Sequence, residues 1–228
     1  MAREKSEVSK KLDYIEKMVY LQMKPLGFRK HGRLLHRFVS GDISQAIQFE
    51  SWPNGFESPQ LMWVDTGIRV PECDLRSFEA ETELKKYYPE YTCTLRSRLG
   101  VLIGPEAPEY DLQEDPEMIV TDILGRLERT VLPAFDALNS REAILERRRE
   151  FPWMDEFKHL ILLEEAMIYG RRGERERAEE LFNEYYQQIL IKKMAQRDPR
   201  PILSQINYLN DLAKRLGIEI RKEIFYNE

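Results

Sequence analysis

The spacing of apolar residues changes twice along this chain, and that alternation limits the fold more than any other feature. Val8, Leu12, Ile15, Val19 and Leu26 recur at helical spacing, which places them on one face of a helix over residues 6–26. Gly27 offers a stop, because it tolerates the left-handed conformation that closes helices. The period then becomes two. Gly32–Ser40, Ile43–Trp52, Gln60–Val70 and Tyr91–Leu99 each read as a strand, with Gly41-Asp42, Pro53-Asn54-Gly55 and Pro71 as breaks. The short spacings favour an antiparallel meander, with a short helix and a loop over residues 73–90.

From Asp115 the period is helical again. Asp115-Pro116-Glu117 supplies an N-cap, a proline at the first helical position and an acid in the first turn. Val120, Ile123, Leu124, Leu127 and Val131 form the stripe, and Pro133 is predicted to kink or end that helix. Ser140 caps a second helix that runs to Phe151, where Pro152 ends it. Residues 155–170 and 174–196 read as a helical hairpin around Arg171-Arg172-Gly173. Residues 201–216 form a last helix before Gly217, and residues 218–228 fit strand and helix equally. The predicted fold class is α+β: a four-stranded, mainly antiparallel sheet packed on helices, followed by an all-helical C-terminal extension. The predicted boundary divides an α+β domain, 1–152, from a helical extension, 153–228.

Composition narrows the functions. Apolar residues at 42% and aromatics at 11% supply a core, which excludes wholesale disorder. Thirty-five basic against 40 acidic residues leave a net charge of −5, which argues against a global grip on nucleic acid or an anionic membrane. No window approaches the ~18 apolar residues of a membrane span. The start, MAREKSEVSKK, lacks the apolar run of a secretory signal. Cys73 and Cys93 form no CxxC pair, so two free thiols in a reducing cytoplasm are expected. No cofactor and no metal are expected.

Few residues suggest catalysis. No phosphate-loop, dinucleotide, nucleophile-elbow or HExxH motif occurs. His31 and His36 are five apart, and odd spacing along a strand points side chains to opposite faces. His36 then lies with Leu34 and Phe38 as a hydrogen-bonded core histidine, and His159 reads the same way. Asp155-Glu156, Glu164-Glu165 and Glu179-Glu180 read as solvated helix faces. Cys93 falls on the apolar side of its strand, which favours an inert thiol.

Lys24-Pro25-Leu26-Gly27-Phe28-Arg29-Lys30 precedes Gly32-Arg33 and a strand. A second strand carries Ile47-Gln48, a third ends Val64-Asp65-Thr66-Gly67-Ile68, and Leu132-Pro133 and Ser140 come later. This order resembles an uncharacterised bacterial family, domain of unknown function 4304, over roughly residues 6–150. The resemblance implies a compact α+β domain and no catalytic residue; Asp65 departs from the amide side chain expected there. Tyr169, Gly173, Ala178 and Phe182, with small Ala166, resemble a single tetratricopeptide hairpin. Glu165 departs from the usual Leu, and no second copy follows.

Strand parity gives the sharpest functional expectation. With the apolar sets facing the core, the opposite face carries Arg33, Leu35 and Arg37, then Gln48, Glu50 and Trp52. It continues with Trp63, Asp65 and Arg69, then Thr92, Thr94, Arg96 and Arg98. Arg33, Arg37, Trp52, Trp63, Asp65, Arg69, Arg96 and Arg98 are the candidate binding face, since Trp and Arg are enriched at interaction hot spots. Two ordinary readings compete: residues 153–228 cover this face, or its arginines pair with Glu50 and Asp65 as a solvated surface. The functional expectation is a non-catalytic protein-interaction module, adaptor or immunity-like, with another protein as partner and a homodimer left open. The alternatives are a single-stranded RNA-binding module and an enzyme of unrecognised type.

Overall fold

A serine and a glycine mark the ends of the first helical region. Ser6 Oγ accepts from the Ser9 amide, 3.3 Å away, and starts α1, Glu7–Met23; a single 3-10 turn, Lys24–Leu26, then ends at Gly27. Leu12, Ile15, Val19 and Met23 are buried on one side of α1, as their spacing predicts. The computed structural model describes residues 6–51, 61–74, 86–99, 110–195 and 200–221. They fall into two compact units, Met1–Glu156 and Phe157–Glu228.

The first unit is α+β. Its antiparallel strands are β1 Arg29–His31, β2 Leu34–Ser40, β3 Ile43–Ser51, β4 Leu61–Arg69, β5 Leu95–Arg98 and β6 Tyr110–Asp111. The order is β1-β2-β3-β4-β5, and β6 pairs with the start of β4. Among the described residues, six strands therefore replace the four predicted. The extra β1 is a short, wholly exposed edge strand, with no apolar residue to announce it. It turns into β2 through Gly32-Arg33, where Gly32 has a φ of 57°, a left-handed conformation that glycine takes without strain. The strand predicted over Tyr91–Leu99 is shorter than expected, because Glu90–Thr92 forms a 3-10 turn and only Leu95–Arg98 pairs.

One sheet face carries Leu35, Gln45, Ile47, Phe49, Met62, Val64, Thr66, Ile68 and Leu95, all buried. Helices follow the sheet: α2 Pro116–Arg126, α3 Leu132–Ala137 and α4 Arg141–Arg147. Gln45 Nε2 donates to the Phe135 carbonyl at 2.6 Å, fixing α3 to this face. Pro133 neither ends nor breaks the helical run. A π-helical turn, Leu127–Val131, widens the helix just before it, and the chain stays helical to Ala137. Widening is a known accommodation for a residue that lacks an N–H and crowds the carbonyl four positions back. Arg141, at the start of α4, donates to Asp42 (2.9 and 3.1 Å) and to Glu72 (2.6 and 2.7 Å). Those paired carboxylates hold its already high pKa further up. This double fork joins the β2–β3 turn, the end of β4 and α4.

The second sheet face is also covered. Residues 86–94 lie across it, and Leu34, Ala46 and Cys93 form a small apolar cluster there with Tyr87. A Cβ at Gly67 would sit 2.6 Å from the Cys93 Cβ and 2.9 Å from the Leu95 carbonyl oxygen. Only glycine permits this approach. Cys93 therefore lies on the face opposite Leu95, against the expectation, and burial pushes its thiol pKa well up.

In the second unit, α5 Ile161–Arg171 and α6 Arg175–Ala195 form a helical hairpin, followed by α7 Arg200–Leu216. Ala166, Ile168, Ala178, Phe182, Tyr185, Leu209 and Ala213 are buried. Residues 218–221 form neither strand nor helix. Asn183 accepts from the Arg221 amide (2.7 Å) and donates to the Glu219 carbonyl (3.0 Å). Glu164 and Glu165 are buried, not the solvated face expected. His159 is exposed rather than core, with its ring 6.1 Å from that of Phe157.

Two substitutions test this packing. Gly67→Ala is expected to lower the unfolding free energy by about 3 kcal/mol, because backbone atoms on the far side cannot yield. Arg141→Met is expected to cost about 3 kcal/mol, by removing the cation that Asp42 and Glu72 share. Urea denaturation reads both, and a loss under about 1 kcal/mol would contradict the contact concerned.

Candidate functional site

Leu34 and Leu35 are adjacent and both buried, so this strand offers an apolar residue to each face. Register decides which goes where. Leu35 opposes Ile47 and faces the helices, whereas Leu34 opposes Gln48 and His36 opposes Ala46. The parity expected for this strand is therefore reversed, and two candidate residues leave the predicted face. Arg37 faces the helices, donating to Gln45 (2.7 Å), the Leu26 carbonyl (2.9 Å) and Asp136 (2.9 Å). Arg33 lies 3.4 Å from the buried Glu16 carboxylate of α1 and donates to Ser51 Oγ. Arg69 is on the second face but fully buried, 3.6 Å over the Tyr88 ring and 3.7 Å from Asp74. Trp52 lies outside the described residues.

Trp63, Asp65, Arg96 and Arg98 do come together. Asp65 opposes Arg98 across β4 and β5, and Gly67 opposes Arg96. Trp63 Nε1 donates to Asp65 at 2.8 Å, Arg98 Nε to the other Asp65 oxygen at 3.4 Å, and the Arg98 guanidinium sits 4.7 Å over the Trp63 ring. The acid that looked anomalous in mid-strand thus holds both neighbours in place. Gln48 and Glu50, hydrogen bonded to each other, border it on β3. Thr92 and Thr94 do not extend the strip: Thr92 is in the 3-10 turn, and Thr94 bonds with the Val70 backbone.

Two carboxylates complete the strip that sequence reasoning missed. Glu90 arrives on the covering segment, its amide donating to Gln48 at 3.0 Å. Glu156 lies 2.7 Å from Arg96. Its position follows from Asp155, which is buried, bridges to Arg96 along the β5 edge and pairs with buried Arg148 at 2.5 Å. Asp155-Glu156 is therefore not a solvated helix face. Nothing local in the sequence marks Glu90 or Glu156, since both owe their role to chain segments folding back on β5.

Burial governs the electrostatics. Desolvation raises the Asp65 pKa against the pull of Arg98 and the Trp63 hydrogen bond. Glu90 is pushed up to about 7, first by desolvation and then by the charge of Asp65, while Arg96 opposes. Arg96 lies 3.9 Å from Glu90 and much closer to Glu156, so its charge is largely spent on the latter. Among the described residues, no group of three or more His, Cys, Asp or Glu is placed to hold a metal ion. No helix among them is long and apolar enough to cross a membrane.

These features define an α+β sheet domain in which helices cover one face and a crossing segment covers part of the other, leaving a strip of Trp, Arg and carboxylates. The chain belongs to the family described as Domain of unknown function (DUF4304), whose model matches residues 21–137. No curated protein matches the chain, and no solved structure matches it.

Glu90 makes the strip sensitive to pH. Its folded pKa lies above the ordinary 4.5, so the unfolded chain ionises first and stability falls as pH rises from about 4.5 to 7. A shift of that size corresponds to about 3 kcal/mol. Glu90→Gln is expected to gain stability relative to wild type at about pH 8 and to lose that advantage at about pH 4. Urea denaturation at both pH values checks it, and a difference independent of pH would refute the burial of an ionising Glu90.

Proposed function

We propose that this protein is a non-catalytic protein-interaction module, adaptor or immunity-like, that docks through Trp63, Asp65, Arg96 and Arg98. The observation that carries this reading is the arrangement of Trp63 and Arg98 around Asp65. Trp and Arg are the side chains most enriched at interaction hot spots, and here a shared carboxylate fixes both before any partner arrives. Fixed side chains lose less entropy on binding. Trp63 is half-buried and Arg98 exposed, so both present surface.

Charge favours a protein over RNA. Glu50, Asp65, Glu90 and Glu156 outnumber Arg96 and Arg98, and a carboxylate excess repels a phosphate backbone. The complementary partner surface carries lysine or arginine opposite the acids and an apolar or aromatic group for Trp63. Cys73 and Cys93, buried as thiols rather than as a disulfide, support a cytoplasmic location, where thiols stay reduced. The enzyme reading, which rests on Asp65 or His36, gains Glu90, whose near-neutral pKa suits proton transfer.

The test is capture from lysate of the source cell by tagged full-length chain, with and without nuclease, using wild type, Trp63→Ala and Arg98→Glu. The expected result is a stoichiometric protein that survives nuclease and drops at least about tenfold with either variant. Capture that disappears with nuclease would favour RNA and reject the protein module. Undiminished capture by both variants would remove the strip from the interface.

A further inference from the structure

The two sides of strand β1 are treated very differently. Lys30 faces α1 and pairs with buried Glu16 at 2.9 Å. Arg29 and His31 point the other way, because Arg29 opposes His36 and His31 opposes Leu34. The turn at Gly32-Arg33 therefore brings His31 and His36 to one face, which their spacing along a single strand appeared to forbid. Lys86 and Tyr87 come from the segment that covers this face, and Tyr87 stacks on His31 with ring centroids 3.6 Å apart. Arg29, His31 and Lys86 are all exposed. None of the three pairs with a carboxylate among the described residues. A chain with a net charge of −5 thus leaves two neighbouring cations, Arg29 and Lys86, beside His31 with no carboxylate partner among the described residues.

His36 lies beneath them. It is 5% exposed, its ring centroid is 6.2 Å from that of Tyr87, and its Nδ1 has no hydrogen-bond partner. A buried polar atom left unpaired is costly, and native structures usually satisfy it. Burial, and then the charges of Arg29, His31 and Lys86, hold the His36 pKa down. A neutral imidazole beside uncompensated cations is the environment that an incoming anion relieves.

We propose that Arg29, His31, His36 and Lys86 form a binding site for a phosphate group. Arg29 and Lys86 supply charge-assisted donors at the surface. His36, in the tautomer carrying the proton on Nδ1, donates from the floor once the Tyr87 ring rotates aside. Two exposed cations and two histidines suit a single phosphate, not a nucleic-acid backbone, which needs a run of such contacts. The site lies at the β1 end of the second face, and its ligand is separate from the protein partner proposed for the strip at β4 and β5.

Only three histidines occur, His31, His36 and His159, which makes proton NMR of their rings a direct test. The full-length chain is titrated with sodium phosphate at constant ionic strength, with sodium chloride as control. The expected result is a saturable shift of His31 and His36 with one common Kd, while His159 stays still. Arg29→Ala and Lys86→Ala are each expected to weaken binding at least about fivefold, and His36→Phe at least about tenfold. Arg29 and Lys86 are exposed, so their variants keep the test valid even where His36→Phe perturbs folding. Adenosine monophosphate is titrated in parallel: tighter binding than phosphate identifies a nucleotide whose base stacks on Tyr87, and equal binding identifies free phosphate. Absence of saturation, an equal shift at His159, or unchanged affinity in both surface variants would overturn the site.

Discussion

Residues 90–94 can press against the second sheet face because Gly67 has no side chain there. A Cβ would collide with Cys93 and with the Leu95 carbonyl. The approach seats Cys93 against Leu34 and Ala46 and brings the Glu90 amide to Gln48. A sheet face that would otherwise be wet becomes a half-dry surface. Charges on it then interact through protein rather than through water, and attraction and repulsion both grow.

The first unit handles its buried charges in two ways. Arg141 and Arg148 each pair with carboxylates in close contact. Such pairs add little net stability beyond a well-packed apolar alternative, but they fix the segments that carry them. Glu90 is the opposite case. Its nearest cation is engaged with Glu156, and acids crowd it, so its ionisation works against the fold. The strip and the phosphate site sit at opposite ends of one covered face, one with excess acid and the other with excess base. Residues 86–94 contribute Lys86 and Tyr87 to one and Glu90 to the other.

Much of the fold was legible because periodicity and end signals agreed. Asp115 and Ser140 cap the helices they were expected to cap, and the central strands β3 and β4 keep their apolar sets on the helix side. The failures share a physical cause. Alternation identifies a core face only when the other face is wet, and here both faces are covered near β2. Leu34-Leu35 was therefore ambiguous, and the wrong choice moved Arg33 and Arg37 to a surface they do not share. The strip was half legible. Trp63, Asp65, Arg96 and Arg98 follow from strand parity, whereas Glu90 and Glu156 reach it through tertiary folding that no local pattern encodes. The grouping of His31 with His36 was hidden because the loop expected before Gly32 is itself a short strand, β1, folded back on β2.

Arg141 is separated from Asp42 by 99 positions and from Glu72 by 69. Closing loops of that length forfeits chain entropy before any contact rewards it. The clamp is expected to close after the local hairpins and helices, on the native side of the folding barrier. Interactions made there slow unfolding while leaving the folding rate almost unchanged. The double fork of Arg141 is in this sense a latch: it governs how long the folded domain persists more than how quickly it is reached.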